Sequence, residues 1–280
     1  MLQRLAIVGS LAILLSACAS PPRIALTPDV RQQISDVRAQ AVVWQDELIV
    51  RAEAPGVSAA LGGGLLGAMI DSNIIEGRQN AVQGAIDPFY ASIDDLDFRQ
   101  QMWTAMDPAF QSDFGFKFSQ VDKGALIRQG KELNATVEAL KPNQGYLYVK
   151  TEYTLTPDYS RLNIHTWALM WKGGNTTPVY QNTLFYQSAA VGPGGVASVP
   201  VWAADHGQKY RAAVAEGIAQ TVQMLKLDLA ANAADKEGRS VVVKQYTGAA
   251  SVDISGPLMS EQNGRVIARH ANGTVYSLVN

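Results

Sequence analysis

The stretch that decides the fold is Tyr146–Thr156, which reads Tyr-Leu-Tyr-Val-Lys-Thr-Glu-Tyr-Thr-Leu-Thr. Apolar or aromatic side chains alternate with polar ones, which is the pattern of a strand that buries one face. Pro157–Ser160 supplies turn chemistry and Leu162–Trp171 repeats the alternation, so the pattern predicts a β-hairpin. After the turn residues Lys172–Asn175, a third run at Val179–Tyr186 extends the hairpin to an antiparallel meander of at least three strands.

A long helix and a small β module are predicted after the meander. From Asp205 to Ala234, apolar residues fall at helical intervals, and we expect this helix to cover one face of the meander, with Asp205 as its N-cap. From 238 to 280, short β-branched runs alternate with glycines, and Asn272-Gly273 is typical of a type I′ turn. Together these elements predict an α+β fold.

The N-terminal half of the body contains an uncharged, glycine-rich segment at 54–70. Gly63 and Gly67 stand in a G-x-x-x-G relation, and Gly62 and Gly64 add small residues, so another backbone could approach closely. One interpretation is a helix or hairpin packed against the rest of the domain. The alternative is insertion into a membrane leaflet or self-association into a homo-oligomer.

The sequence predicts strands before this glycine-rich segment and a helix after it. Val30–Ala54 favours strands around a turn near Gln45, with a helix over Arg31–Ala39 as the alternative. The spacing in Asp71–Met106 predicts an amphipathic helix that breaks near Asp87-Pro88. Three acidic residues then either cap the next helix or form a cation site, and the lack of a glycine turn favours capping: Asp94, Asp95 and Asp97.

The first seventeen residues have the composition of a secretory signal peptide. Arg4 gives a cationic start, Leu5–Val8 and Leu11–Leu15 form an apolar core, and small residues follow. The apolar run is too short for a permanent membrane span, which needs about 20 residues.

The end of this segment, Leu15-Ser16-Ala17-Cys18, resembles the lipobox of bacterial lipoproteins. The resemblance implies cleavage between Ala17 and Cys18 and lipidation of Cys18. In Gram-negative members of that family, an Asp directly after the Cys favours retention in the inner membrane, and this chain has Ala19 and Ser20 there. The resemblance therefore also implies an outer-membrane protein whose body faces the periplasm. The alternative is a small buried Cys in an ordinary N-terminal helix.

The predicted organisation has four parts. Residues 1–17 form the signal peptide, 18–29 a proline-containing tether, 30–237 the main domain and 238–280 the β module. The glycine-rich segment leading to Asp71-Ser-Asn-Ile-Ile, together with the turn Thr154-Leu-Thr-Pro-Asp-Tyr, resembles a group of uncharacterised lipoproteins of Gram-negative bacteria. That resemblance implies no particular activity.

Composition excludes several classes of function. The chain has 280 residues, 23 basic against 25 acidic, so it has no electrostatic footprint of nucleic-acid binding. Its single Cys excludes a disulfide framework and a cysteine metal site. We expect no metal and no cofactor, because nucleotide-binding glycine motifs are missing and each of the histidines 165, 206 and 270 stands alone in its segment.

No catalytic residues are predicted. His206 beside Asp205 suggests a base and its orienter, but no nucleophile elbow accompanies the pair. Aromatic residues concentrate in the meander, where core packing accounts for most, and an exposed subset would suit a glycan or a peptide. They are Tyr146, Tyr148, Tyr153, Tyr159, Trp167, Trp171, Tyr180, Phe185 and Tyr186.

Three functional hypotheses follow from the sequence. The first is a non-catalytic lipoprotein, anchored to the outer membrane, that acts by contact with a periplasmic or outer-membrane protein in assembly, scaffolding or an accessory role. The second is a membrane-inserting or self-associating protein that acts through 54–70. The third is an envelope hydrolase with an active site assembled from dispersed residues.

Overall fold

The computed structural model describes residues 22–45, 48, 84, 87–112, 114–123, 131–230 and 239–280. The signal peptide, Ala17 and Cys18 lie outside the described residues. So does the predicted helix-packing or membrane-contact segment with Gly62, Gly63, Gly64 and Gly67.

The described chain combines helices with one mixed β-sheet. Its helices are α1 Pro28–Gln32, α2 Phe98–Ser112, α3 Lys131–Glu138 and α4 Val199–Leu229, with a further helical segment at 87–92. Its strands are β1 Asp36–Val43, β2 Phe118–Lys123, β3 Gln144–Leu155, β4 Leu162–Lys172, β5 Tyr180–Gln187, β6 Ser240–Thr247, β7 Ala250–Gln262, β8 Arg265–Arg269 and β9 Val275–Val279.

Among the described residues, nine strands form one sheet in the order β2-β1-β3-β4-β5-β9-β8-β7-β6. The predicted meander is confirmed, since β3 pairs antiparallel with β4 from Gly145↔Lys172 to Leu155↔Leu162, and β4 pairs antiparallel with β5. The C-terminal strands join the same sheet through parallel pairing of β5 with β9, at Leu184↔Val275 to Tyr186↔Ser277. Sequence alternation predicts strands but carries no information on this long-range pairing.

The sheet buries one face against α2 and α4. Alternate residues of the meander point into this main core with Phe98, Met102 and Trp202 from the helices. On the opposite face, α3 covers a smaller cluster around Tyr146 and Trp171. The predicted cover of the meander by a long helix is therefore confirmed.

The long helix begins earlier than the sequence predicts, and it is interrupted. It starts at Val199, and Ala204–Gly207 leaves helical geometry, with Asp205, His206 and Gly207 at φ of 53°, 55° and 68°. The expectation that Asp205 is an N-cap was therefore wrong. Gly207 has two reasons to be glycine, since its φ is left-handed and an added Cβ would lie 2.6 Å from Ile93 Cγ2.

The type I′ turn lies at a different Asn-Gly pair from the predicted one. Asn263 and Gly264 form the two-residue loop between β7 and β8, and both have positive φ, 52° and 71°. At Asn272-Gly273, only Gly273 has positive φ. There, the Asn272 side chain instead accepts a hydrogen bond from the Thr274 backbone at 3.0 Å.

Two local expectations in the N-terminal half are confirmed. The strand interpretation of Val30–Ala54 holds for β1, and the alternative helix over Arg31–Ala39 does not, since α1 ends at Gln32. Asp97 caps α2, because its carboxylate accepts the Gln100 N–H at 2.8 Å. Asp95 instead pairs with Arg211, and that hydrogen bond lowers the pKa of Asp95.

The part of the predicted tether that the structure describes, residues 22–29, lies against the body. Ile24 forms a β-bridge with Gln181, with backbone hydrogen bonds of 2.8 and 2.9 Å. Arg23 reaches the buried Asp228, and Thr27 caps α1. The expectation that the prolines exclude regular structure here was wrong at Pro28, which opens α1, and the segment docks because its partners come from distant parts of the chain.

Candidate functional site

The open edge of the sheet at β6 presents backbone groups at a regular spacing. The Leu258 N–H donates to the Arg239 carbonyl at 2.9 Å, which makes this pair hydrogen-bonded between β6 and β7. Because such pairs alternate along an antiparallel ladder, Val241, Val243 and Gln245 bond to β7. The N–H and C=O groups of Val242, Lys244 and Tyr246 therefore point away from the sheet.

The Gln187 side chain already pairs with this edge at one residue. Its Nε2 donates to the Tyr246 carbonyl at 2.7 Å, and its Oε1 accepts the Tyr246 N–H at 2.9 Å. One side-chain amide therefore makes both bonds that a neighbouring strand would make at this position. Among the residues that the structure describes, no strand pairs with the rest of β6 on this side.

A cleft of about 370 Å³ lies beside the outward-pointing groups. One wall is β6, and the other is formed by the chain after β5 and by the end of β9. We call it the edge cleft, and its lining includes Arg161, Ser188, Val242, Lys244 and Val279. Val242 and Val279 expose 62% and 43% of their surface, so the cleft adds apolar contacts to its backbone donors and acceptors.

Arg265 holds the floor of the edge cleft in place. Its Nη1 donates to the carbonyls of Gln187 at 2.9 Å and Ser277 at 3.1 Å, filling the gap where β5 and β9 stop pairing. Its Nε and Nη2 donate to Glu216 of α4. Tyr186 also donates to Glu216, and burial, with this acceptor, raises the pKa of Tyr186. This network fixes the cleft to the main core.

The turn between β3 and β4 supports the other end of the cleft. The Asp158 carboxylate accepts hydrogen bonds from Thr156 and from both the backbone and the hydroxyl of Ser160. Burial alone would raise the pKa of Asp158, but these hydrogen bonds outweigh it and lower the pKa. Arg161 follows and lies over the Tyr246 ring at 3.8 Å, so the turn is joined to β6.

The three histidines do not form a catalytic group with the residues that the structure describes. His165 lies between the rings of Trp167 and Phe185, and burial lowers its pKa while Glu152 opposes that shift. His206 is exposed in the break of α4, and its backbone carbonyl accepts from Arg211. His270 accepts a 3.5 Å contact from the Asn272 backbone. In the described ranges, none of the three imidazoles has a hydrogen bond to a hydroxyl or a carboxylate.

Core packing accounts for the aromatic residues of the meander, as expected. Of the nine named from the sequence, eight are buried and only Trp167 is half-buried. Trp167 and Trp44 hold the Lys150 ammonium at 4.9 and 3.7 Å from their ring centroids. The meander thus leaves little aromatic surface for a glycan.

A second polar centre fastens the N-terminal segment to the body. The Asp228 carboxylate has no exposed surface, and Arg23 Nε and Arg269 Nη2 reach its Oδ1 at 3.2 and 2.8 Å. Tyr180 and Asn182 donate to its Oδ2 at 2.8 and 2.7 Å. Burial and the neighbouring Asp228 raise the pKa of Tyr180, which keeps this phenol a donor. We call these five residues the Asp228 cluster.

Sequence reasoning did not find the edge cleft or the Asp228 cluster. The run Val241-Val-Val marks β6 as a strand, but its position at a sheet edge depends on β7, β8 and β9. Asp228 lies on the helix predicted from Asp205, where a charged residue usually faces solvent. Neither site has a local motif.

Across the described ranges, no helix is long and apolar enough to span a bilayer, and no cluster of three or more His, Cys, Asp or Glu residues has the arrangement of a metal site. The chain matches no protein-family model, no curated protein and no solved structure.

Proposed function

We propose that this protein is a lipid-anchored periplasmic protein of the outer membrane that acts by contact, binding an extended segment of a partner protein along β6. The observation that carries the proposal is the row of outward N–H and C=O groups at Val242 and Lys244, bordered by the edge cleft. An extended peptide matches this spacing because its own donors and acceptors repeat every two residues.

The composition of the cleft supports an extended peptide as the occupant. Backbone pairing gives affinity without sequence preference, while pockets for alternate side chains give selectivity. Val242 and Val279 offer apolar contact on the two walls, and Arg161 adds a guanidinium group, while the Lys244 ammonium is already paired with Asp253 at 2.8 Å. Natural proteins usually protect open edges, and within the described part of the chain the Gln187 amide covers the outer backbone groups of Tyr246 alone.

The docking of the N-terminal segment supports action close to a membrane. Cys18, the proposed lipidation site, precedes Pro22 by four residues, and an extended chain of that length spans about 14 Å. Since Arg23 and Ile24 are already docked on the body, lipid at Cys18 would hold the body near the bilayer surface. Several acyl chains would make this attachment effectively permanent.

The test places the photo-crosslinker p-benzoyl-phenylalanine at position 242 or 252 of the full-length protein in cells. Val242 lies in the edge cleft, whereas Val252 lies in the same hairpin outside the cleft and is also exposed, at 54%. We expect a discrete crosslinked product from position 242 and none from position 252.

A pair of variants at Lys244 tests whether the partner binds through hydrogen bonds to the β6 backbone. Lys244→Pro removes one outward N–H, and Pro257 already occupies an equivalent non-hydrogen-bonded position opposite Ser240. Lys244→Ala removes the same side chain and keeps the N–H. The position-242 crosslink should vanish with Lys244→Pro and persist with Lys244→Ala. Equal crosslinking in both variants, or from both positions, would contradict the proposal.

The two other functional hypotheses stay open to their own tests. Membrane insertion or self-association would act through residues 54–70, which lie outside the described residues. Replacing Gly63 and Gly67 by Leu should abolish oligomers if that segment mediates them, and sedimentation measures this. No arrangement among the described residues favours an envelope hydrolase.

A further inference from the structure

The open part of β6 ends at Tyr246. The outward backbone groups of Val242 and Lys244 are open, while both outward groups of Tyr246 are bonded to the Gln187 amide. Gln187 is buried, and its Nε2 also donates to Asn163 Oδ1 at 2.9 Å, so this amide is held in place. An extended segment that pairs with β6 must therefore stop, or leave the sheet, before it reaches Tyr246.

A guanidinium group lies at this closed end of the edge cleft. Arg161 lines the cleft, and its Cζ lies 3.8 Å from the centroid of the Tyr246 ring. Stacking on the ring fixes the plane of the guanidinium beside the last open position of β6. The end at which a paired segment must stop is therefore also the end that holds a cation.

The Arg161 guanidinium keeps donors for a ligand. Its Nη1 donates to Ser160 Oγ at 3.1 Å, and with the residues that the structure describes it makes no other hydrogen bond and no ion pair within 4 Å. The Ser160 hydroxyl separates it from the nearby Asp158, because the same hydroxyl donates to Asp158 Oδ2 at 2.8 Å. Nε and Nη2 of Arg161 remain, and this side of a guanidinium matches the two oxygens of a carboxylate.

The loop after β5 offers two further donors to the same cleft. Ala189 and Ala190 line the cleft and are exposed, and neither backbone N–H has a hydrogen bond to a described residue. The N–H groups on either side, of Ser188 and Val191, donate to the carbonyls of Leu162 and Ser160 and hold the loop in position. Backbone N–H groups of this kind suit an anion.

We propose that the edge cleft binds the free C-terminus of a partner polypeptide, with its α-carboxylate on Arg161; this rests on the proposed binding of an extended segment along β6. Because β6 runs towards Tyr246, a segment that ends there lies parallel to β6. Its preceding residues bond to Val242 and Lys244, and its carboxylate ends the strand where Gln187 closes the edge. An internal segment would have to turn out of the cleft at this point and would leave the donors of Arg161 unused.

The experiment compares two forms of the same peptides on the immobilised full-length protein. A pool of N-acetylated hexapeptides of randomised sequence is made once with a free C-terminal carboxylate and once as the C-terminal amide. Equal amounts are applied together, and mass spectrometry counts the retained peptides of each form. We expect about tenfold more free acid than amide, since only the free acid forms a charge-assisted bidentate pair with a guanidinium.

Two matched variants locate this preference. Arg161→Gln removes the guanidinium at the closed end of the cleft, while Arg239→Gln removes one that lies just before β6, outside the cleft lining, with 66% of its side chain exposed. We expect the preference for free acids to disappear in Arg161→Gln and to persist in Arg239→Gln. Retention of the amide pool reports whether the cleft is intact, and it should be the same in both variants.

Each result decides the question. A preference for free acids that is lost only in Arg161→Gln supports carboxylate recognition. Equal retention of both forms by the wild type, or an unchanged preference in Arg161→Gln, overturns it. Loss of the amide pool in Arg161→Gln also overturns it, because Arg161 would then shape the cleft through Tyr246.

The crosslink from position 242 separates this inference from the function on which it rests. If the crosslink forms while acids and amides are retained equally, the contact along β6 stands and carboxylate recognition fails. If no crosslink forms and no peptide is retained, both proposals fail.

Discussion

Asp228 carries a buried carboxylate near the C-terminal end of α4, and its partners come from three other parts of the chain. Through Arg23, this single carboxylate holds the N-terminal segment against the body. Its free-energy contribution depends on keeping the charges paired, because an unpaired buried charge is costly.

Replacing the central carboxylate should release the N-terminal segment. Asp228→Asn removes the buried carboxylate that Arg23 and Arg269 share, and we expect a loss of about 3–5 kcal/mol in the free energy of unfolding. Urea denaturation measures the loss, and limited trypsin digestion after Arg23 reports release of the segment. Arg23→Gln, which leaves Asp228 with Arg269, Tyr180 and Asn182, should cost less. Equal stability of Asp228→Asn and the wild type would contradict this account.

His165 should make stability depend on pH. Burial lowers its pKa, with Glu152 opposing, so the unfolded chain takes up the proton first as pH falls. The contribution is complete above the ordinary histidine pKa of about 6.5 and is lost as pH falls toward the lower pKa of the folded state. The wild type should thus lose more stability than His165→Gln between about pH 7.5 and pH 5.5.

Urea midpoints at the two pH values check this expectation. Leu169→Gln alters a half-buried position on the same face of β4 without adding a titrating group, so it should lower stability equally at both. A wild-type pH dependence that survives in His165→Gln would rule out His165 as its source.

At the scale of elements, the contact between α4 and the sheet depends on a glycine. An added Cβ at Gly217 would lie 2.4 Å from Ile164 Cδ1 and 2.7 Å from Tyr186 Cε1. The Tyr186 ring has little freedom to move, because its hydroxyl donates to Glu216. The helix can therefore come this close to Ile164 and Tyr186 only because residue 217 has no side chain.

Two opposing terms set the effect of Gly217→Ala. Alanine gains about 1 kcal/mol in helix propensity, while overpacking a tight core costs about 1–3 kcal/mol. Since the contacts fall well inside van der Waals distance, we expect net destabilisation of about 1 kcal/mol by urea denaturation. The comparison variant is Ala212→Gly, at an exposed position of the same helix, which should cost about 1 kcal/mol through propensity alone. A more stable Gly217→Ala protein would show that the helix shifts freely.

At the scale of the whole molecule, one sheet connects the meander, the C-terminal strands and the docked N-terminal segment. β9 pairs with β5, Arg265 links β8 to α4, and Ile24 forms a bridge with Gln181 of β5. The chain after Pro22 is thus one packed body over its described ranges.

The proposed anchor predicts a specific covalent change. Cells fed radiolabelled palmitate should incorporate the label into the wild type and into Ser20→Ala, but not into Cys18→Ser. In bacterial lipoproteins the lipobox cysteine receives the diacylglyceryl group, and Cys18 is the residue at that position here. The mature mass should correspond to cleavage after Ala17. Label in Cys18→Ser would contradict the assignment.

Local patterns predicted much of the fold. The alternation in Tyr146–Thr156 and Leu162–Trp171 predicted the hairpin, because a half-buried strand needs apolar residues at every second position. The cap at Asp97 was also predictable, since its partner lies three residues away. The prediction of an N-cap at Asp205 was wrong because aspartate is common both at helix starts and in left-handed turns.

The sequence by itself determined the elements whose cause is local: the meander, the long helix, the cap and the resemblance of Leu15–Cys18 to a lipobox. The tertiary structure alone decided that β9 lies beside β5, that β6 is an open edge, and that Arg23 reaches Asp228 across 205 residues. The physical reason is that periodicity encodes which face of an element is buried, whereas the choice of partner depends on the fit of surfaces formed only after the chain has folded.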